Sequence, residues 1–178
     1  MKIIFLVLLF IVILFEVSAK SVGDVTSLPI PRFVTLKSDN SNLRIGPSKN
    51  YPIKLNYETQ NLPLEIIEEY GDWRKIIDFD KNHGWIHKSL LIGLRFGIIN
   101  PPYNEAVKIH IKPQGKIIGQ IGKRNIVKII KCMKNWCYIK FNNKGGWILK
   151  INLWGVYEKE TFNIPFYQPI INKVWKLI

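Results

Sequence analysis

The chain has 178 residues, 47% of them hydrophobic, with 26 Lys/Arg against 13 Asp/Glu, a net charge of +13 and a pI near 9.8. A balance this basic favours an anionic partner. Three His and two Cys leave little material for a metal centre or a nucleophilic site.

Met1-Lys2 gives a positive start, residues 3–15 are an unbroken apolar run, and Val17-Ser18-Ala19 presents small or apolar side chains at the positions a signal peptidase reads. This pattern predicts a secretory signal peptide over residues 1–19. The run is short for a spanning helix, which needs about 20 apolar residues. Export would place the protein in the periplasm or outside the cell, where disulfides persist. Residues 20–31 end in Leu28-Pro29-Ile30-Pro31 and read as a linker with an extended end.

Residues 32–96 form a first unit. Strands are expected at 32–37, where Phe33 and Thr35 alternate with Val34 and Leu36, and at 42–45, stopped by Gly46-Pro47. Residues 49–61 read as a long loop holding Tyr51 and Tyr57. Strands follow at 62–69, 73–79 and 84–87, and then one tight helical turn at 88–91. Pro101-Pro102 mark a boundary over residues 97–104. A second unit, 105–157, then repeats the order, with strands at 107–111, 125–131, 137–141 and 146–149 and a loop at 114–122. Residues 158–178 are an apolar, aromatic tail expected to pack back on the body. No stretch after residue 20 holds a helical period.

The duplication fixes the architecture. Residues 64–91 contain Trp73 and then Gly84-Trp85-Ile86; residues 127–153 contain Trp136 and then Gly146-Trp147-Ile148. Charge is divided unevenly between the copies. Residues 97–157 carry eleven Lys/Arg and one acid, Glu105. This is either a functional basic surface or a compositional drift toward lysine.

Asn42-Leu43-Arg44-Ile45-Gly46-Pro47, a long loop, a hairpin bearing Trp73 and then Gly84-Trp85-Ile86 together resemble a bacterial SH3-like domain. Residues 28–37 and Leu153-Trp154-Gly155-Val156-Tyr157 further resemble an exported, two-copy SH3-like family of alphaproteobacteria. In the second copy His110 stands where the first has Arg44, and Lys112 where it has Gly46. The resemblance implies an all-β fold of two tandem SH3-like barrels, each of five or six strands. It also implies non-catalytic binding of cell-wall peptides or of short segments of another envelope protein.

The aromatics carry the binding expectation. Tyr51, Tyr57 and Trp73 beside Arg44, and Trp136 with Tyr138 in the second copy, are candidates for ligand-binding grooves. Trp73 and Trp136 fit a groove or the core equally, while Trp85 and Trp147 are expected in the core. Cys132 and Cys137 flank a four-residue loop and are expected to face each other as a disulfide. The carboxylates from Glu65 to Asp80 read as a solvated charged face. No catalytic, metal or cofactor site is expected, since neither Cys is followed by a His and no Ser lies in a nucleophile-elbow pattern. His83 and His87 lie about 13 Å apart in an extended strand, too far to share a metal. The leading partner is peptidoglycan or an envelope protein. The alternative is an assembly protein whose basic second unit docks an anionic partner or a membrane surface. Nucleic acid is disfavoured by export.

Overall fold

The computed structural model describes residues 21–103 and 105–163. The expected signal peptide and the tail beyond residue 163 lie outside the described residues. Seven strands make the first sheet: β1 (Arg32–Leu36), β2 (Ser41–Arg44), β3 (Ile53–Tyr57), β4 (Pro63–Tyr70), β5 (Trp73–Ile77), β6 (His83–His87) and β7 (Leu91–Ile92). Seven more make the second: β8 (Phe96–Ile99), β9 (Val107–His110), β10 (Ile117–Ile121), β11 (Ile126–Cys132), β12 (Trp136–Phe141), β13 (Lys144–Leu149) and β14 (Leu153–Trp154). The strand orders, β3-β2-β6-β5-β4-β1-β7 and β10-β9-β13-β12-β11-β8-β14, are the same order written twice. The protein is therefore all-β, two tandem SH3-like barrels. A 3₁₀ turn precedes the closing strand of each, at Lys88–Leu90 and Lys150–Asn152.

Period-two alternation builds each interior. Leu36, Leu43, Leu64, Ile66, Ile76 and Ile86 fill the first core; Ile99, Val127, Ile129, Ile139 and Ile148 fill the second. Each such fully buried aliphatic contributes about 1.5–3 kcal/mol. The two barrels share a bulge at matching positions, between Ile66 and Glu68 in β4 and between Ile129 and Lys131 in β11. The extra residue, Ile67 or Ile130, reverses the alternation for the rest of the strand. Glu69 and Cys132 consequently point inward. Glu69 pairs across the ladder with Arg74, and Cys132 with Cys137. One position thus holds a buried ion pair in the first barrel and the expected disulfide in the second.

Four expectations need correction. The loop 49–61 contains β3 and the loop 114–122 contains β10; both are edge strands exposed along most of their length. The first domain ends before residue 96, because β8 pairs with β11 and β14 and so opens the second barrel; residues 97–99 are core strand, not linker. Residues 21–31 do not form a free linker. The backbone N–H groups of Val25 and Thr26 and the Thr26 hydroxyl all donate to the Glu69 carboxylate, at 3.1, 2.8 and 2.8 Å. The carboxylates are not all solvated either: Glu69 and Asp78 are buried.

Aromatic and ionic contacts join the barrels. Phe33 meets Trp154 and Tyr157 at ring-centroid distances of 5.1 and 4.8 Å, and Trp154 also meets Phe79 at 5.8 Å. The Tyr157 hydroxyl donates to Glu65 at 2.7 Å, and Arg124 pairs with Asp80 at 2.7 Å. Burial, followed by the Glu65 carboxylate, pushes the Tyr157 hydroxyl well above the ordinary phenol range. The described start of the tail, residues 158–163, lies against the second barrel. Glu160 pairs with Arg95, and Phe162 bridges to Cys132.

Candidate functional site

In the first barrel, β2, β5 and β6 converge beside the 3₁₀ turn and form a cavity of about 350 Å³. Arg44, Trp73 and His87 line it, with Asn40, Asn42 and Lys49. Trp73 opens β5 directly opposite His87 in β6, and their rings meet edge-on at 5.4 Å. The His87 Nδ1 sits 2.7 Å from the Ser89 hydroxyl. Its Nε2 lies 4.0 Å from Asp72, whose carboxylate pairs with Lys88 at 2.8 Å. The hydrogen bond and charge of Lys88 hold the Asp72 carboxyl below its ordinary value. Arg44 ends β2 and donates to the Tyr51 carbonyl at 2.7 Å, which fixes the loop between β2 and β3. Asn56 donates to both Asn40 and Asn42, at 2.9 and 2.8 Å, so the wall of amides is held by its own network. Cations, an indole edge and oriented amides meet in one small concavity.

The second barrel repeats this site with different side chains. Its cavity is about 230 Å³ and is lined by Lys108, His110, Leu149 and Asn152, which occupy the positions of Asn42, Arg44, His87 and Leu90. Trp136 opens β12 opposite Leu149 and meets His110 edge-on at 5.0 Å. An indole against an imidazole thus recurs, but the imidazole comes from the strand that supplies Arg44 in the first copy.

The remaining expected residues go elsewhere. Tyr51 packs over Gly46, where an added Cβ would meet its ring at 2.6 Å, and it does not line the Trp73 cavity. Tyr57 is a core residue whose hydroxyl donates to the buried Asp78 at 3.0 Å. Burial, then the Asp78 charge, raises its ionisation far above the ordinary range. It borders a separate cleft of about 480 Å³ shared with Phe79, Asp80 and Arg124. This corrects the expectation that Tyr57 joins the Trp73 groove. Tyr138 meets Trp147 edge-on at 5.5 Å and does not line the second barrel's cavity. Trp85 and Trp147 are buried, yet on the opposite strand face from Ile86 and Ile148. There Lys75 covers Trp85 at 5.8 Å and Lys131 covers Trp147 at 5.0 Å. His87, Asn40, Asn42 and Lys49 were not among the expected site residues; only the pairing of β5 with β6 brings His87 to Trp73. Among the described residues, no group of three or more His, Cys, Asp or Glu is placed to hold a metal.

A model of the bacterial SH3 domain family matches residues 37–93 and 112–155. No curated protein matches the chain. Among solved structures the chain is similar to NlpC2 from Trichomonas vaginalis, at 14% identity and a TM-score of 0.33, over 75% of this chain and 51% of that one. It is similar to NlpC1 from the same organism at 16% identity and a TM-score of 0.30, over 74% and 48%. An NlpC/P60 family protein from Bacillus cereus matches at 10% identity and a TM-score of 0.31, over 79% and 61%. The chain spans only about half to three-fifths of the length of these structures. The family match falls on both copies of one strand order, and the chain belongs to the bacterial SH3 domain family.

Proposed function

We propose that this protein is a non-catalytic, exported binding module that recognises cell-wall peptides in the Trp73 groove of the first barrel. Bacterial SH3 domains are cell-wall binding modules. The observation that carries the reading is the convergence of Arg44, Lys49, Asn40, Asn42 and Trp73 on one cavity, with the indole held edge-on against His87. Arg44 and Lys49 supply positive charge for peptide carboxylates, Asn40 and Asn42 supply hydrogen bonds, and Trp73 supplies a desolvated edge. The disulfide supports an oxidising compartment, in line with the expected signal peptide.

Titration calorimetry of the chain with a soluble muropeptide tests the reading. Trp73→Ala and Arg44→Ala should each weaken binding by about tenfold or more, the loss of one well-placed contact. Melting curves confirm that both variants fold. No detectable binding by the unaltered chain at millimolar ligand would end the proposal.

A further inference from the structure

Strand register allows the outer faces of the two barrels to be compared position by position. Across β4, β5, β6 and β2 one row reads Glu68, Lys75, Trp85, Arg44. The matching row across β11, β12, β13 and β9 reads Lys131, Tyr138, Trp147, His110, and continues to Ile117 of β10. One row over, Glu65 faces Ile77 in the first barrel, while Lys128 faces Lys140 in the second. Asn42 is likewise replaced by Lys108. In the first barrel this face is balanced, two glutamates against Lys75 and Arg44, with Glu68 and Lys75 paired at 2.8 Å. In the second it carries Lys108, Lys128, Lys131 and Lys140, and among the described residues none of the four has an ion-pair partner.

That arrangement costs the fold something. Like charges directly opposite on neighbouring strands are destabilising, and Lys128 and Lys140 are such a pair. Lys131 has no acid to meet and rests over the rings of Trp147 and Tyr138, at 5.0 and 5.9 Å. The same face also leaves apolar surface in water. Ile117 is 44% exposed and Leu149 40% exposed. Trp136 and Tyr138 are half-buried. Tyr103, 82% exposed, borders the cavity it shares with Lys108 and Leu149, and Glu105 is the one acid among the described residues that line it.

We propose that this face of the second barrel docks on an anionic phospholipid surface. Its lysines meet headgroup phosphates, with their aliphatic stems lying along the apolar surface. Trp136, Tyr138 and Tyr103 take the headgroup level, where an aromatic ring with a polar edge is favoured. Ile117 and Leu149 reach the acyl boundary. A soluble polyanion would satisfy the lysines and leave those two side chains wet, so the combination favours lipid. This docking is independent of the peptide groove on the first barrel.

The test is co-sedimentation of the chain from Lys20 onward, which keeps both barrels and omits the apolar leader, with its own affinity for lipid. Vesicles of phosphatidylglycerol mixed with phosphatidylcholine should pellet the protein, less so as salt rises, and vesicles of phosphatidylcholine alone should not. The double variant K128E/K131E writes Glu65 and Glu68 of the first barrel into the second. It should lower partitioning on the order of 30-fold or more, from the loss of two surface cations. If that variant melts early, Lys128→Gln with Lys140→Gln makes the same comparison while relieving a like-charge contact. Failure to pellet on phosphatidylglycerol, or equal pelleting of the variants, overturns the proposal. So does tight binding of soluble polyphosphate that vesicles fail to compete away.

Discussion

Substituting Glu69 by Gln is the most direct test of what holds the first barrel to its N-terminal segment. The Glu69 side chain is fully buried, 2.6 Å from Arg32 and 3.4 Å from Arg74. Burial by itself would raise its carboxyl, but the hydrogen bonds from Arg32 and Thr26 prevail and hold it at about 2, against 4.5 when free. A folded-state value below the unfolded one stabilises fully above pH 4.5, and that contribution is lost as pH falls through 2. The difference corresponds to about 3 kcal/mol at neutral pH. Glu69→Gln keeps the volume, removes the charge and leaves two guanidinium groups facing an amide. Breaking a buried pair by removing one partner costs about 3–5 kcal/mol. The assay is urea unfolding followed by tryptophan fluorescence, for both proteins, between pH 7 and pH 2. The gap between them should be about 3 kcal/mol at pH 7, narrow below pH 4.5 and close near pH 2. A gap under about 1 kcal/mol at pH 7, or one that stays constant as pH falls, would refute the reasoning, since an exposed pair is worth only about that much.

Replacing both Cys132 and Cys137 by Ala should cost about 2 kcal/mol, from release of a very short loop, and this gap should be flat over the same pH range. Trp154→Ala removes the ring shared by Phe33 and Phe79 and should lower stability by about 3–5 kcal/mol, whereas Arg124→Ala breaks an exposed pair and should cost under about 1 kcal/mol; calorimetric melts separate the two. Gly84→Ala places a Cβ 2.6 Å from the Arg44 carbonyl. The strand must move to admit it, so stability should fall by about 1–3 kcal/mol, and the Arg44 and Trp73 resonances should shift together in a two-dimensional NMR spectrum.

The duplicated plan was legible because it rests on local signals. Turn residues, apolar alternation and two Gly-Trp-Ile motifs recur at nearly equal spacing, and a disulfide across a four-residue loop needs no tertiary information. β3 and β10 were not legible. They are edge strands exposed along most of their length, so burial imposes no period-two pattern on them. Glu69 was hidden for another reason. Of Glu65, Glu68 and Glu69, only the last is sent inward, by the bulge at Ile67, and a bulge has no compositional mark. The boundary was misplaced because Pro101-Pro102 are the strongest local break, while the pairing that assigns β8 to the second barrel lies about 30 residues downstream. The Trp73 cavity was half readable. Arg44 and Trp73 both line it, but Tyr57 went to the core because its hydroxyl has a buried acceptor in Asp78.

Only Gly93, Leu94 and Arg95 separate β7 from β8. The last of them is pinned, with its guanidinium bonded to Glu160 and the Gly155 carbonyl and lying over the rings of Phe33 and Phe162. A connection so short and so fully occupied leaves little freedom for one cavity to swing relative to the other. The pair then works as a gauge. A peptide held at the matching height above a surface on which the second barrel docks gains the second contact almost free of further entropy loss, worth about 10²–10⁴ in avidity, and one held at another height gains nothing.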